Sequence, residues 1–308
     1  MNVLVIGGTG TTGRRVAAGL GEQGADVRVA TRSPAAADHV RFDWNDPDTH
    51  RPAVAGVDGI YLIAPAGSLD PAPLVRSFLA GAVDAGVRRA VLLSSSALPE
   101  DAPGVGALPR VVRATVPEWA ILRPSWFMQN FTGDHPVAQG IRTDGEIVTA
   151  TGDGRVGFVD AADIAAVAVR ALLDAAPHDT DHLITGPQAL SYADAAAVIT
   201  DVTGLPVRHR PVEAAEMAER FAATGLPRAY AGMLAALDED IRHGAEDRVT
   251  STVPDVTGRR ARSFAEFVTE HRAAFTAPGR ADEGVTHQTR EVAGEGTRAG
   301  SSGASVAG

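Results

Sequence analysis

The chain contains no cysteine and no lysine. The first absence excludes disulfides, thiolate nucleophiles and cysteine-ligated zinc. The second makes all 28 basic residues arginine and closes any mechanism that needs a lysine ammonium. No apolar run reaches the length needed to cross a bilayer. The first residues lead straight into an apolar stretch, without a basic leader or a cleavage site, so the expected location is the cytoplasm. Positive charge is in deficit as well. The net charge of −10 argues against nucleic acid or an anionic membrane as a partner and leaves a small molecule as the expected one. Aromatic residues make up only 5%, so a dense aromatic patch stands out against this background.

What is present describes an ordinary globular protein. At 308 residues, 44% hydrophobic and 21% charged, the chain can bury a large core as one big domain or two closely joined lobes. "NVLVI" (2–6) is a short apolar run bounded by glycine, as expected of a strand buried on both faces. A helix over 14–23 follows. Further strands are expected at 25–33, 40–44, 59–65, 88–96 and 119–124, with a helix from about 71 to 85 between two of them. Strands alternating with helices imply βαβ units and a doubly wound parallel α/β sheet. After Pro124 the pattern loosens. Two short strands around a Gly-Asp-Gly turn are expected within 146–160, a strong helix over 161–174 and another strand at 182–186. Helices at 191–203, 213–224, 227–243 and 263–275 complete the reading. Asp160 and Asp163 look like a helix cap and a first-turn charge. From about Pro278 the composition turns to Gly, Ala, Ser, Thr and charges, and 278–308 reads as a disordered tail.

The stretch "VLVIGGTGTTGRRV" (3–16) carries the first chemistry. Gly7, Gly10 and Gly13 stand between a strand and a helix. Gly7 permits the tight turn, Gly10 lets the backbone approach a pyrophosphate, and Gly13 allows close helix–strand packing. The helix N-terminus adds free N–H groups and the positive end of its dipole, and Thr9, Thr11 and Thr12 add hydroxyl donors. The second strand ends in Thr31-Arg32-Ser33, where an NAD site usually places a carboxylate for the ribose. A guanidinium there suits a 2′-phosphate, so NADP(H) is expected over NAD(H). Asp43 and Trp44 are expected beside the adenine, and Ala64 and Pro65 along the cofactor.

Together with "LLSSSA" (92–97), "ILRPSWFMQNF" (121–131) and "GRRARSFAEFV" (258–268), the glycine loop resembles the NmrA-like group of atypical short-chain dehydrogenase/reductases, closest to the ergot alkaloid biosynthesis-type reductases. The resemblance covers about residues 1–276. It implies a Rossmann-type domain, here 1–150, with a small, partly interleaved C-terminal α+β substrate lobe, 151–277, and an NADPH site to which Ser94 and Pro124 belong. Members of the group divide between reductases of small organic molecules and catalytically silent NAD(P) sensors.

An ordinary short-chain dehydrogenase pairs a serine with Tyr-x-x-x-Lys, the tyrosine donating a proton and the lysine lowering its pKa. Ser94, Ser95 and Ser96 stand at the serine position. No tyrosine lies between Tyr61 and Tyr192, and lysine is absent. The corresponding region offers only Arg110 and Arg113, both poor proton donors. Hydride transfer to an imine, enone or quinone without that pair is therefore the expected activity, with NADP(H) sensing as the alternative. Ser95, Trp126, Phe127, Gln129, Asn130 and Phe131 are the candidate substrate residues, Met128 joining the aromatics in an apolar patch. Ser95 and His135 are the candidates for catalysis. The histidines read as scattered over loops and helix surfaces, so no metal is expected. A monomer or homodimer is expected.

Overall fold

The computed structural model describes residues 1–65, 68, 70–99, 102 and 104–276. The tail read as disordered, 278–308, lies outside the described residues. In chain order the first half comprises β1 (Asn2–Ile6), α1 (Gly13–Glu22), β2 (Asp26–Thr31), β3 (His39–Arg41), α2 (His50–Val54), β4 (Gly59–Leu62), α3 (Ala72–Asp84), β5 (Arg89–Leu93), α4 (Leu108–Thr115) and β6 (Glu118–Pro124). The second half adds α5 (Pro136–Asp144), β7 (Glu146–Thr149), β8 (Arg155–Val156), α6 (Ala161–Leu173), β9 (Thr180–Ile184), β10 (Leu190–Ser191), α7 (Tyr192–Thr203) and β11 (Arg208–Pro211). Helices α8 (Ala214–Ala223), α9 (Arg228–Arg242), α10 (Thr252–Thr257) and α11 (Phe264–Glu270) follow.

Seven strands form one parallel sheet in the order β3-β2-β1-β4-β5-β6-β9. The order reverses between β1 and β4, and that switch point opens a crevice at the strands' C-terminal ends. One face of the sheet packs Leu4, Ile60, Leu62 and Leu92 against α2, α3 and α4. The other packs Val3, Val5, Tyr61 and Val91 against α1, α6 and α10. Burial on both faces explains why the strands read as continuous apolar runs rather than alternating ones.

Helix starts follow their caps. The Asp160 carboxylate accepts the Ala162 amide at 2.8 Å and opens α6, with Asp163 in its first turn. Ser191 and Asp194 form a reciprocal capping box on α7, and Ser263 and Glu266 form another on α11. Two strands do occur within 146–160, but they do not pair with each other. β7 runs parallel to β11, and β8 pairs antiparallel with β10. Their partners lie 34–62 residues downstream, so the Gly-Asp-Gly turn closes no hairpin. A third core gathers Phe131, Phe158, Tyr192 and Phe264 beyond the sheet's edge, between α5, α7 and α11. Helices α8 and α9 pack on each other and on a small cluster of Ala150, Val212, Met217 and Ala235.

Candidate active site

The glycine loop has the shape its residues require. Gly7 takes φ +72°, a left-handed conformation, and its carbonyl accepts the Gly10 amide at 3.0 Å. A Cβ on Gly13 would stand 2.1 Å from the Gly7 carbonyl oxygen, which is what brings α1 down onto β1. Gly10 meets only that same oxygen, at 3.3 Å from a built Cβ, and leaves its outer side open. At the start of α1 the Arg14 amide donates to the Gly10 carbonyl at 3.1 Å, and the Arg15 and Val16 amides to the Thr12 carbonyl at 3.0 and 2.9 Å, which seats the positive end of the helix dipole on the loop. These residues fit the pyrophosphate of a dinucleotide. Thr9 is exposed, Thr11 half-buried and Thr12 buried.

Arg32 lies exposed in the bend just past β2, on the crevice side of the sheet. One oxygen of Asp43 accepts the Asn45 amide at 2.9 Å, which turns the chain after β3. Trp44 is half-buried, in edge contact with Phe42 and Phe78 at ring distances of 5.1 and 5.2 Å. Packing therefore accounts for much of Trp44's position. Ala64 is half-buried and Pro65 buried, directly after β4.

At the ends of β5 and β6, the half-buried Ser94 donates its amide to the Leu122 carbonyl at 2.7 Å. Ser95 turns its hydroxyl oxygen onto the Ala97 amide at 3.2 Å, and Pro124 accepts the Ser96 amide at 3.0 Å. Beneath them lies a carboxylate that sequence reasoning missed. Glu246, buried in the loop after α9, accepts the Ser96 hydroxyl at 2.8 Å and the Ser125 hydroxyl at 3.2 Å on one oxygen. Arg248 pairs with the other at 2.7 Å. This clamp joins the C-terminal part of the chain to the two strands beside the crevice. Arg113, which stands where the dyad was sought, lies over the Trp119 ring and pairs with Asp181.

Past β6 the candidate substrate residues separate. Trp126 and Asn130 line a cavity of about 430 Å³. Phe127 packs beside the sheet, where it bridges Val159. Gln129 donates to Asp160 and accepts the Ala161 amide, both at 3.0 Å, so its amide is committed to the start of α6. Phe131 is buried among Phe158, Tyr192 and Phe264, in the core rather than the cavity. The cavity takes its remaining walls from α5, β7, α7, α8 and α9, including Val137, Met217, Phe221 and Leu234. Two further residues were not legible as site residues. Tyr192 lines the cavity from the first turn of α7, and Asp238 from the third turn of α9. Burial raises the Asp238 carboxyl to about 6, and burial followed by the Asp238 charge raises the Tyr192 phenol. A signal existed for Asp238. It falls in register with Ala231, Ala235 and Ile241 on the buried stripe of its helix.

His135 also lines the cavity, which corrects the expectation of a surface histidine. Its Nδ1 accepts the Val137 amide at 3.2 Å and caps α5, so the neutral ring carries its hydrogen on Nε2. Burial lowers its pKa to about 4. At neutral pH it is a hydrogen-bond donor, not an imidazolium acid. His178 and His182 do stand at H-x-x-x-H spacing, which the reading of scattered histidines overlooked. Their rings meet at 2.8 Å between Nδ1 and Nε2, and His178 pairs with Asp174 at 3.1 Å. Among the described residues no group of three or more such ligands is arranged for a metal.

His182 is lowered to about 4 by burial and then by the neighbouring His178. For both His135 and His182 the folded value lies below the unfolded 6.5. Their contribution is complete above that value and is lost as pH falls toward 4. Asp238, raised above its unfolded value, works in the opposite direction below about 6. The melting midpoint is expected to fall between about pH 7 and about pH 4.5, and to fall less in His182→Gln. An unchanged slope in the variant would remove His182 from the account.

The switch-point crevice and its glycine cradle define a Rossmann-type dinucleotide-binding protein. A family model described as NAD(P)H-binding matches residues 7–175. An oxidoreductase of Bacillus subtilis, YesF, is 48% identical over 278 residues, covering 89% of this chain and 96% of its own. The agroclavine dehydrogenase of Claviceps fusiformis is 36% identical over 88% of this chain and 98% of its own. In fold, the chain resembles the Escherichia coli NADPH-dependent quinone oxidoreductase QOR2 in its NADPH complex, with a TM-score of 0.74 at 23% identity over 88% and 99% of the two chains. This chain belongs to the NAD(P)H-binding, NmrA-like family and is an NAD(P)H-dependent reductase. No described helix is long and apolar enough to cross a membrane.

Proposed function

We propose that this reductase passes hydride to a small, largely apolar organic acceptor, of imine, enone or quinone type, and does so without a Tyr-x-x-x-Lys pair. The observation that carries this reading is the cavity beyond β6, whose apolar walls come from Trp126, Val137, Met217, Phe221 and Leu234, with polar groups such as Asn130, His135 and Tyr192 set among them. Bound nicotinamide would supply the hydride. The chain supplies position. Gly7, Gly10, Gly13 and the start of α1 hold the pyrophosphate, Arg32 the 2′-phosphate, and Asp43 and Trp44 the adenine side. Ala64, Pro65, Ser94 and Pro124 border the cofactor's path to the cavity. The α8–α9 pair covers the acceptor and excludes water, and His135 and Tyr192 offer neutral hydrogen-bond donors to it. On this reading 1–150 carries the cofactor and 151–277 the acceptor, the two interleaved where Trp126, His135 and Val137 of the first join the cavity wall; the location is cytoplasmic, and the protein acts as a monomer or homodimer.

Loss of nicotinamide absorbance on mixing with NADPH and a panel of quinones, enones and iminium salts tests the activity. Tight NADPH binding with no oxidation across the panel would replace this reading with that of a silent sensor. Arg32→Ala is expected to weaken NADPH about tenfold or more while leaving NADH nearly unchanged, since a charge-assisted bond to phosphate contributes on that scale. An equal loss for both nucleotides would end the assignment of Arg32 and the preference for NADP(H).

A further inference from the structure

Three buried side-chain polar atoms among the described residues complete no hydrogen bond: the Tyr61 hydroxyl, the second oxygen of Asp160 and Nε of Arg248. Charge accounts for two of them. The Asp160 oxygen faces Arg262 at 3.0 Å, and the Arg248 guanidinium already holds Glu246 at 2.7 Å. Tyr61 has no such partner. It stands in β4, wholly buried in the core that α1 and α6 form on the sheet, together with Val5, Val16, Leu20 and Ile164. A buried phenol ordinarily finds a hydrogen-bond partner, and one that does not costs stability that a phenylalanine of the same shape would keep.

The phenol meets Thr12. Burial drives its pKa far above the ordinary phenol value, and the Thr12 side chain draws it partly back while standing short of a completed hydrogen bond. Thr12 is 3% exposed and is the N-cap of α1, yet its hydroxyl makes no capping bond. Its carbonyl takes the Arg15 and Val16 amides, so this residue joins the glycine loop to the helix. Two residues past Tyr61, and so on the same side of the chain, Ile63 supports the other end of the loop. It lies so close to Gly7 that a Cβ there would stand 2.8 Å from the Ile63 Cδ1. The loop therefore rests on this strand at two points, one apolar at Gly7 and one polar at Thr12.

We propose that Tyr61 is a positioning residue for the dinucleotide. Its phenol closes a hydrogen bond with the Thr12 hydroxyl as the glycine loop takes hold of the pyrophosphate, and so fixes the turn from loop to α1. This rests on the reading of that loop as the pyrophosphate cradle, and it extends the cradle to a side chain that does not touch the cofactor. A hydroxyl so placed lowers the stability of the free protein and raises its affinity for the cofactor. On its removal the two properties move in opposite directions, whereas a purely structural tyrosine moves them together or moves stability alone.

Calorimetry on the full chain compares two ligands. One is 2′-phospho-ADP-ribose, which carries the pyrophosphate and no nicotinamide; the other is adenosine 2′-phosphate, which carries no pyrophosphate. The wild type is expected to bind the first about tenfold tighter or more. Tyr61→Phe is expected to weaken the first about fivefold, to leave the second unchanged, and to melt at or above the wild-type midpoint. Thr12→Val should show the same selective loss, and Thr12→Ser, which keeps the hydroxyl, should bind as the wild type does. Combining Tyr61→Phe with Thr12→Val should weaken binding no further than either change alone, because the two groups act as one. Undiminished affinity of Tyr61→Phe for the pyrophosphate ligand would overturn the proposal, as would an equal loss for both ligands. If Tyr61→Phe does not fold, Thr12→Val and Thr12→Ser decide, and equal affinities in those two overturn it. A wild type that binds both ligands equally removes the pyrophosphate cradle itself, and Tyr61 with it. Failure confined to the variants removes Tyr61 alone.

Discussion

Gly13→Ala is expected to lower the melting temperature by roughly 6–12 °C and to abolish NADPH binding at concentrations that saturate the wild type. The added Cβ would stand 2.1 Å from the Gly7 oxygen, 2.7 Å from the Gly7 carbonyl carbon and 2.8 Å from the Gly8 Cα. All three are backbone atoms, so no rotamer change makes room. Either α1 lifts off β1 or the turn at Gly7 opens. Overpacking against backbone costs about 3 kcal/mol or more, and each relief reshapes the loop proposed above to hold the pyrophosphate. Gly21 is the matched control, because a Cβ there meets nothing within 4 Å. Gly21→Ala should melt at or slightly above the wild type, since alanine is the better helix former by about 1 kcal/mol. A Gly13→Ala protein that melts with the wild type and binds NADPH normally would show the loop tolerates what its geometry forbids.

Glu246→Ala is expected to be nearly as damaging, for the opposite reason. It removes one acceptor and strands three donors: Ser96, Ser125 and Arg248. Breaking a buried charged cluster by deleting one partner costs about 3 kcal/mol. Glu246→Gln keeps an oxygen for the two serines and gives up the charge pairing with Arg248, so it should lose roughly 1 kcal/mol. The serines follow β5 and β6, next to Ser94 and Pro124, so the alanine variant should also bind NADPH more weakly. Melting curves with and without NADP+ read both effects. A Glu246→Ala midpoint equal to the wild type would mean that the clamp holds nothing.

The sequence disclosed these two residues unequally. Gly13 was legible because a strand, a spaced set of glycines and a helix constrain one another over fourteen residues. Glu246 sits in an irregular loop, and its partners are 121 and 150 residues away. No local pattern marks such a contact. The same division runs through the fold. The central strands announce themselves by burial on both faces. β11, "RHRP", is half-buried and polar, and it is a strand only because β7 lies beside it. α4 and α5 escaped a reading drawn to the missing dyad and to the aromatic patch. In the site, the cofactor loop was readable from spacing, whereas the cavity is assembled by tertiary contacts. Trp126 and Asn130 could be named from one apolar segment. Gln129 and Phe131, from that same segment, turn to α6 and to the aromatic core. Tyr192 was masked by the capping signal of Ser191, and Asp238 by its acidic neighbours Glu239 and Asp240.

The last strand of the sheet sets a schedule for synthesis. As the chain leaves the ribosome, β6 pairs with β5 on one side while its other edge stays bare, because β9 is encoded some sixty residues later. At about 5–20 residues per second, that edge waits several seconds for its partner. An unpaired strand edge beside apolar side chains is a template for another nascent chain. Crowding of ribosomes on one message therefore raises the risk of aggregation during that interval.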